Sequence, residues 1–507
     1  MADRFMKGTL ILTAAGLLVK ILGSVNRILL SRLLGGEGIG LYQIAYPFYL
    51  MLVALSSAGV PAAMSILISR KAAQKDFWGA RRTMVICGGL MTFLGVFFAA
   101  LAWGMIPVLL AHGWVKDGRA EYAMLALVPA VGLSIPLACF RGYFQGFQDM
   151  TPTAISQIGE QFTRVMVMVL LAYALLPQGL PKAAAGAAFG SVPGALAGIL
   201  LLGWFYHRQK NSYKESSSLI FPRPAFWKTA KELLALALPV TCANLMVPIV
   251  SVIEILLVPE RLLVAGFTVA ASTRALGYLS GMAMPLVNMG TIPTNSLALS
   301  TVPALSEAKA LGDTTALENK TKRAFRFFLL LNLPAAVGVY LLGTPIARVL
   351  YGTVYAGPVI TALSPAILFL GLHQVTTAML QGLGHTKIPM VNMFLSLLVK
   401  IGALWVLVAN PSYHILGAAW ATDINLALAG ILNLCWMSKM EKLTLPWKSL
   451  VRIALASLGM GFAIRSIQPF VEWGPLLQLP ILVLWGMLVY GILLFLMGEM
   501  RGRKLKK

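Results

Sequence analysis

Apolar residues fall in long, nearly uncharged runs along this chain, and short polar stretches between the runs hold most of its charge. A helix crosses the hydrocarbon of a bilayer, about 30 Å, with about 20 mostly apolar residues. Runs of that length lie at 9–34, 42–69, 84–111, 121–140, 152–176, 183–206, 232–258, 275–303, 324–350, 359–380, 389–409, 417–436, 449–468 and 476–498. The pattern predicts an all-α, polytopic membrane protein of about 14 transmembrane helices. Segment 275–303 is the least uniform, because Pro285, Pro293 and Pro303 interrupt it and Asn288, Thr291, Thr294 and Asn295 make it polar. Neighbouring helices can satisfy the backbone groups that such prolines free. It is therefore predicted as a broken or kinked helix facing a cavity.

Charge in the loops gives the orientation. Every second loop is basic: Arg70, Lys71, Lys75, Arg81 and Arg82; then Arg208, Lys210, Lys214, Arg223, Lys228 and Lys231; then Lys309, Lys320, Lys322, Arg323 and Arg326; then Lys439, Lys442, Lys448 and Arg452. The tail adds Arg501, Arg503, Lys504, Lys506 and Lys507, whereas the opposite set holds little beyond Lys116, Arg119, Lys182, Arg261 and Arg465. Under the positive-inside rule both ends lie in the cytoplasm and the number of spans is even. The opening run is too long for a cleaved signal segment and lacks a small-residue cleavage pattern, so it is expected to stay as the first span.

The longest polar piece, 207–231, divides the chain after the sixth span. The expected organisation is an N-lobe at 1–206, a cytoplasmic linker at 207–231, a C-lobe at 232–436, and two trailing helices with the basic tail at 437–507. A short echo supports two related halves. Gln145-Gly146 with Pro152 joins spans four and five, and Gln381-Gly382 with Pro389 joins spans ten and eleven. Each turn ends in a proline that opens the next helix, where its missing N–H costs nothing. Transporters are often built from such repeats.

Composition agrees. Of 507 residues 58% are hydrophobic and 12% charged, against about 25% charged in soluble proteins, and the mean hydropathy is +0.79. A net charge of +23 raises the question of nucleic acid, but its lysines and arginines sit in short loops between apolar runs, not in an aromatic-interleaved basic patch. Nucleic acid is therefore not an expected partner. Cys87, Cys139, Cys242 and Cys435 form no CxxC pair, so packing residues are expected rather than a metal site or a disulfide framework.

Ionisable groups inside spans cost about 2.5–3.5 kcal/mol each on insertion scales and mark function by default. Lys20 and Arg27 in span one are seven apart and share a helix face, with Arg32 beyond them. Arg32 can also snorkel to the interface. Arg274 enters the eighth span. Such cations suit a water-filled chamber for a phosphate, which arginine binds through paired charge-assisted bonds. Glu160 and Arg164 are spaced i, i+4 with the acid first, the better order for a helical ion pair; a self-neutralising structural pair and a gate are both open readings. Lys400 and Asp423 lie at similar depth on neighbouring antiparallel spans and can pair, with Glu254 as a third member. A static strut and an ion-coupled switch are equally open.

No HExxH, GxSxG or phosphate-binding GxxxxGK[ST] motif occurs, and no cofactor is expected. Of five scattered histidines only His373 lies well inside a span, where packing is the simpler role. The glycine-rich stretch 183–203 permits close helix packing.

Several segments carry a resemblance. Lys20-Ile21-Leu22-Gly23, Arg27, Ser31-Arg32-Leu33-Leu34-Gly35 and Glu37-Gly38-Ile39-Gly40-Leu41-Tyr42-Gln43 open the chain. Ser57-Ala58-Gly59-Val60-Pro61, Arg141-Gly142-Tyr143-Phe144-Gln145-Gly146 and Ser280-Gly281-Met282-Ala283-Met284-Pro285-Leu286-Val287-Asn288 follow. Together they resemble the stage V sporulation protein B-like polysaccharide transporters. That family belongs to the multidrug/oligosaccharidyl-lipid/polysaccharide flippase superfamily, as does the lipid II flippase of peptidoglycan synthesis.

The resemblance implies two pseudo-symmetric six-helix lobes around a V-shaped cavity plus two C-terminal helices. It implies alternating-access translocation of an undecaprenyl-pyrophosphate-linked saccharide or lipid II across the bacterial cytoplasmic membrane. In the lipid II flippases, basic residues of span one and the start of span eight contact the head group. The corresponding positions are Arg27, Arg32 and Arg274, with Asn26 beside them, and Asn26-Arg27 departs from an Arg-Asp pair common among members. Some relatives bind sodium between spans seven, eleven and twelve, where this chain has Glu254, Asn392, Lys400 and Asp423. The Lys400 ammonium is expected to take the place of that ion. The coupling ion, Na+ or H+, and any cell-wall synthase partner stay open. Two other readings are a multidrug or cation exporter, which the intramembrane cations disfavour, and a membrane-bound polysaccharide polymerase or ligase. The second needs acid/base groups at one face, usually on a large loop, which this chain lacks.

Overall fold

A computed structural model describes residues 2–57, 59–212, 225–441, 446–470 and 474–499. The middle of the expected linker (213–224) and the basic tail (500–507) lie outside these residues. The described chain is helical, with no strand. Its helices are α1 (Ala2–Ser57), α2 (Val60–Ala73), α3 (Phe77–Ala111), α4 (Glu121–Gly146), α5 (Thr151–Leu175), α6 (Leu180–Phe189), α7 (Ser191–Ser212), α8 (Phe226–Asn244), α9 (Met246–Val264) and α10 (Val269–Leu276). They continue as α11 (Met284–Gly290), α12 (Ile292–Ala310), α13 (Thr314–Tyr351), α14 (Gly357–Leu363), α15 (Pro365–Gly382), α16 (Lys387–Leu407), α17 (His414–Glu441), α18 (Trp447–Ile467) and α19 (Pro475–Leu496).

The chain is a multi-pass membrane protein. Among the described residues eleven helices are long and apolar enough to cross a membrane, or up to twelve if the pair Phe226–Cys242 and Val247–Val264, bent by 51°, is one span. The expected count of fourteen is not reproduced, and two places show why. The first two apolar runs merge into one helical stretch, Ile11–Ala73, of 63 residues. At 1.5 Å per residue this is about 95 Å, far longer than one crossing. The eighth run, predicted as broken, is indeed divided: α10, a π-helical stretch Gly277–Ala283, α11 and α12 follow one another, so no single helix there is long enough.

The chain forms two compact units, one of Met1–Pro259 with Val269–Gly277, the other of Glu260–Thr268 with Tyr278–Lys507. In the first, α1 bends at Gly35, whose φ of 65° and ψ of −174° lie outside the helical region. A side chain at that φ is strained, so glycine is what the bend requires. The next turn then packs tightly on α10 and its end. A Cβ on Gly40 would stand 2.0 Å from the Thr273 carbonyl oxygen, and one on Gly277 would stand 1.9 Å from that of Gly36. The apolar core of this unit joins α2, α3, α4, α7 and α8 through Met64, Ile68, Met91, Ile135, Phe144, Leu202 and Leu233. Cys87 and Cys139 are buried free thiols, the Cys139 thiol 3.9 Å from the Met84 sulfur.

In the second unit Leu305, Phe325, Phe328, Val375, Met379 and Met437 join α12, α13, α15 and α17. Asp313 caps α13 by accepting the Ala316 N–H at 2.8 Å, and Gly352 ends the helix with a left-handed φ of 70°. The two Gln-Gly turns do the same job in each unit. Gly146 ends α4 where a Cβ would meet Ile68 of α2 at 2.6 Å, and Gly382 ends α15 where a Cβ would meet the Val302 carbonyl of α12 at 2.8 Å.

Candidate functional site

The first unit collects basic groups on facing helices. Arg27 of α1 donates to the Gln43 side chain at 2.9 Å across the Gly35 bend. Its guanidinium lies 5.5 Å from the Tyr46 ring centre and 6.0 Å from that of Tyr42, within cation–π range. Tyr42, Tyr46 and Tyr49 follow at helical spacing, the first two stacked at 5.3 Å. Tyr49 shares a 3.3 Å hydrogen bond with Ser134 of α4.

Beside these rings, Glu160 and Arg164 form the expected i, i+4 ion pair. Arg141 of α4 adds a second guanidinium at 2.6 Å from the other Glu160 oxygen. Arg141, Arg164 and Glu160 are each less than a fifth exposed. The burial comes from glycines at the start of α7 and just before it: Cβ atoms at Gly190 and Gly194 would press on the α5 backbone at 2.8 and 3.0 Å, and one at Gly198 would lie 3.6 Å from the Glu160 Cβ. Arg27, Arg141 and Arg164 thus bring three guanidinium groups into the first unit, two of them sharing Glu160. Guanidinium groups within a span are suited to an anion.

Asn26 is buried and its amide N–H reaches the Met168 sulfur at 3.2 Å, while its carbonyl oxygen has no partner among the described residues. Lys20 and Arg32 are exposed.

Arg274 joins a different group. It donates to Glu37 at 2.9 Å and is half exposed. Glu37 also takes Arg119 at 2.6 Å, and Arg119 holds Asp117 at 2.9 Å. The Thr273 hydroxyl completes the ring by donating to Asp117 at 2.6 Å. Two cations meet two carboxylates, so this group balances its own charge. Burial pushes the Asp117 carboxyl up, but hydrogen bonds from Arg119 and Thr273 outweigh it and hold the group below the usual carboxylate range. Arg27 and Arg274 thus engage different partners.

In the second unit Asn392 of α16 donates to Asn433 of α17 at 2.8 Å, and Asn433 donates to Thr376 and Thr377 of α15 at 3.2 and 3.1 Å. Lys400 is buried on the same face of α16, eight residues on. Asp423 is also buried, but makes no ion pair among the described residues, so the expected pairing with Lys400 is not formed. The Asp423 Oδ1 has no partner among the described residues. Glu254 lies half-buried on the part of α9 that belongs to the first unit.

Sequence reasoning passed over Gln43, Glu37, Asp117, Arg119 and Arg141 as partners. Arg141 stands one residue past the fourth apolar run and Glu37 between the first two, so a search for charges inside the runs does not reach them.

The fold is that of a multi-pass helical membrane protein with ionic groups held between its spans. Residues 5–309 match the polysaccharide biosynthesis protein family and residues 162–484 the lipid II flippase MurJ family. The chain belongs to this polysaccharide biosynthesis and flippase family. Stage V sporulation protein B of Bacillus subtilis (strain 168) is 31% identical over 470 residues, covering 93% of this chain and 90% of that protein. The lipid II flippase MurJ of the same organism is 26% identical, covering 79% and 77%. Among solved structures, lipid II flippase MurJ in an inward closed conformation matches with a TM-score of 0.71 at 18% identity, over 97% of this chain and 99% of that one. An inward-facing multidrug resistance MATE transporter of the MOP superfamily matches with 0.68 at 16% identity, over 84% and 94%.

Proposed function

We propose that this protein translocates an undecaprenyl-pyrophosphate-linked saccharide, or a lipid II-type cell-wall precursor, across the bacterial cytoplasmic membrane by alternating access. The observation that carries the reading is the gathering of three guanidinium groups, Arg27, Arg141 and Arg164, on packed helices of the first unit, two of them on the carboxylate of Glu160. Arginine forks match the oxygens of a diphosphate. Arg27 is the arginine assigned to the head group, with Asn26 beside it. Lys20 and Arg32 serve as outlying cations on α1, and Arg274, balanced by Glu37, serves to position α10. Glu160 and Arg164 act as a gate post in this reading. No covalent bond is made or broken.

The positive-inside asymmetry supports cytoplasmic ends, and the turn echo supports two lobes, 1–206 and 232–436, joined by 207–231 and followed by 437–507. Lys400, on the same unit as Asn392 and Asp423, replaces a coupling sodium ion. The test is head-group translocation in proteoliposomes holding lipid II or a lipid-linked oligosaccharide. Wild-type protein moves the head group without changing its mass, and Arg27→Glu abolishes movement while the protein still inserts. Undiminished movement by the Arg27→Glu, Arg274→Glu double variant overturns the site. A change in substrate mass overturns the transporter reading in favour of a polymerase or ligase.

A further inference from the structure

The second unit contains a chamber that the transport reading does not use. It measures about 490 Å³ and lies between α13, α15 and α18, open on one side. Its walls are Tyr340, Leu341, Leu368, Leu458 and Phe462, and one cation, Arg465, stands at its edge in the last turn of α18. Tyr340, Leu458 and Phe462 are more than half exposed. The chamber is therefore unfilled apolar space rather than packed core. Gly461 forms its floor, where a Cβ would come within 3.0 Å of Val337 and 3.2 Å of Leu341, so α18 can lie close to α13 there.

Arg465 makes no hydrogen bond or ion pair among the described residues. The combination restricts the occupant. A free phosphate suits Arg465 but gains nothing from the apolar walls, and a hydrocarbon suits the walls but leaves the guanidinium unanswered. An amphiphile with an anionic head answers both, because its phosphate accepts from the arginine fork while its chain fills the apolar space. The helices around the chamber are themselves membrane spans, so the ambient amphiphile is bilayer phospholipid.

We propose that this chamber binds one anionic glycerophospholipid, with its phosphate on Arg465 and an acyl chain along Leu341, Leu368 and Leu458. The site is separate from the arginine group of the first unit, and its occupancy does not depend on the transported substrate.

Native mass spectrometry of the purified full-length protein tests it, after detergent exchange with phosphatidylglycerol or phosphatidylcholine. Wild-type protein retains one phosphatidylglycerol in preference to phosphatidylcholine. Arg465→Gln weakens retention about tenfold, Arg465→Lys keeps most of it, and Leu458→Trp, which fills the chamber from its exposed wall, removes it. Gel filtration and thermal unfolding establish that each variant is folded, and Leu458→Phe replaces Leu458→Trp if the latter is not. Retention unchanged in both Arg465→Gln and the filled variant overturns the proposal. So does displacement of the lipid by millimolar inorganic phosphate, or preferential retention of phosphatidylcholine or undecaprenyl phosphate.

Discussion

Arg141 reaches Glu160 at 2.6 Å from a different helix, 19 residues away in the chain. This contact turns a simple helical ion pair into a carboxylate shared by two guanidinium groups. Glu160→Gln leaves Arg141 and Arg164 facing each other with little compensation, and breaking a buried pair in this way costs about 3–5 kcal/mol. Thermal unfolding in detergent should therefore show a large loss for Glu160→Gln and a smaller one for Arg141→Gln, which keeps the Glu160–Arg164 pair. Equal losses would contradict the sharing.

The second prediction concerns the seam between α1 and α10. Gly40→Ala puts a methyl group 2.0 Å from the Thr273 carbonyl oxygen, and both partners are backbone, so helices must separate. The variant should yield much less monodisperse protein on gel filtration. Gly16→Ala on the same helix meets nothing within 4 Å and should leave yield unchanged, or raise stability by roughly 0.5–1 kcal/mol through helix propensity.

Much of this was readable in advance. The apolar runs follow from the length a membrane requires, and the Glu160–Arg164 pair follows from helical spacing. The partners of Arg274 were not readable, because Glu37 is 237 positions away and only the Gly35 bend and the Gly40–Thr273 approach bring it near. The Lys400–Asp423 pairing failed for a related reason. Depth along two spans says how high a group sits but not which way it turns, and Asp423 makes no ion pair among the described residues. The count of fourteen is not reproduced by helix length where a bend, not a break, divides α1 and where prolines divide the eighth run.

Acid should loosen the ring of Glu37, Arg119, Asp117 and Thr273. The Asp117 carboxyl is held below its ordinary range in the folded protein. Its contribution is therefore complete above the unfolded value, about 3.9, and is lost as pH falls through the lower folded value. Thermal unfolding followed from pH 7 downward should be flat with respect to this group until about pH 4, then decline. Asp117→Asn should be less stable at neutral pH and lack that part of the decline; an unaltered acid profile counts against the ring.

Sodium should be dispensable. With an ammonium buried at Lys400, replacing sodium by choline on both sides of the proteoliposome should leave head-group translocation within twofold of its starting rate, an order-of-magnitude bound set by a coupling energy well under 1 kcal/mol. Abolition of transport by that exchange rules out the substitution of lysine for the ion.

The glycine face of α7 also bears on how the protein is made. The α5 helix leaves the ribosome carrying Glu160 and Arg164 before α7 exists to cover them. Charges near the middle of a span are costly in lipid. Arg141 on the preceding helix meets part of that cost, but the face of α5 that Gly190, Gly194 and Gly198 cover stays open until α7 follows, so bulk at those three positions is expected to harm assembly as well as transport.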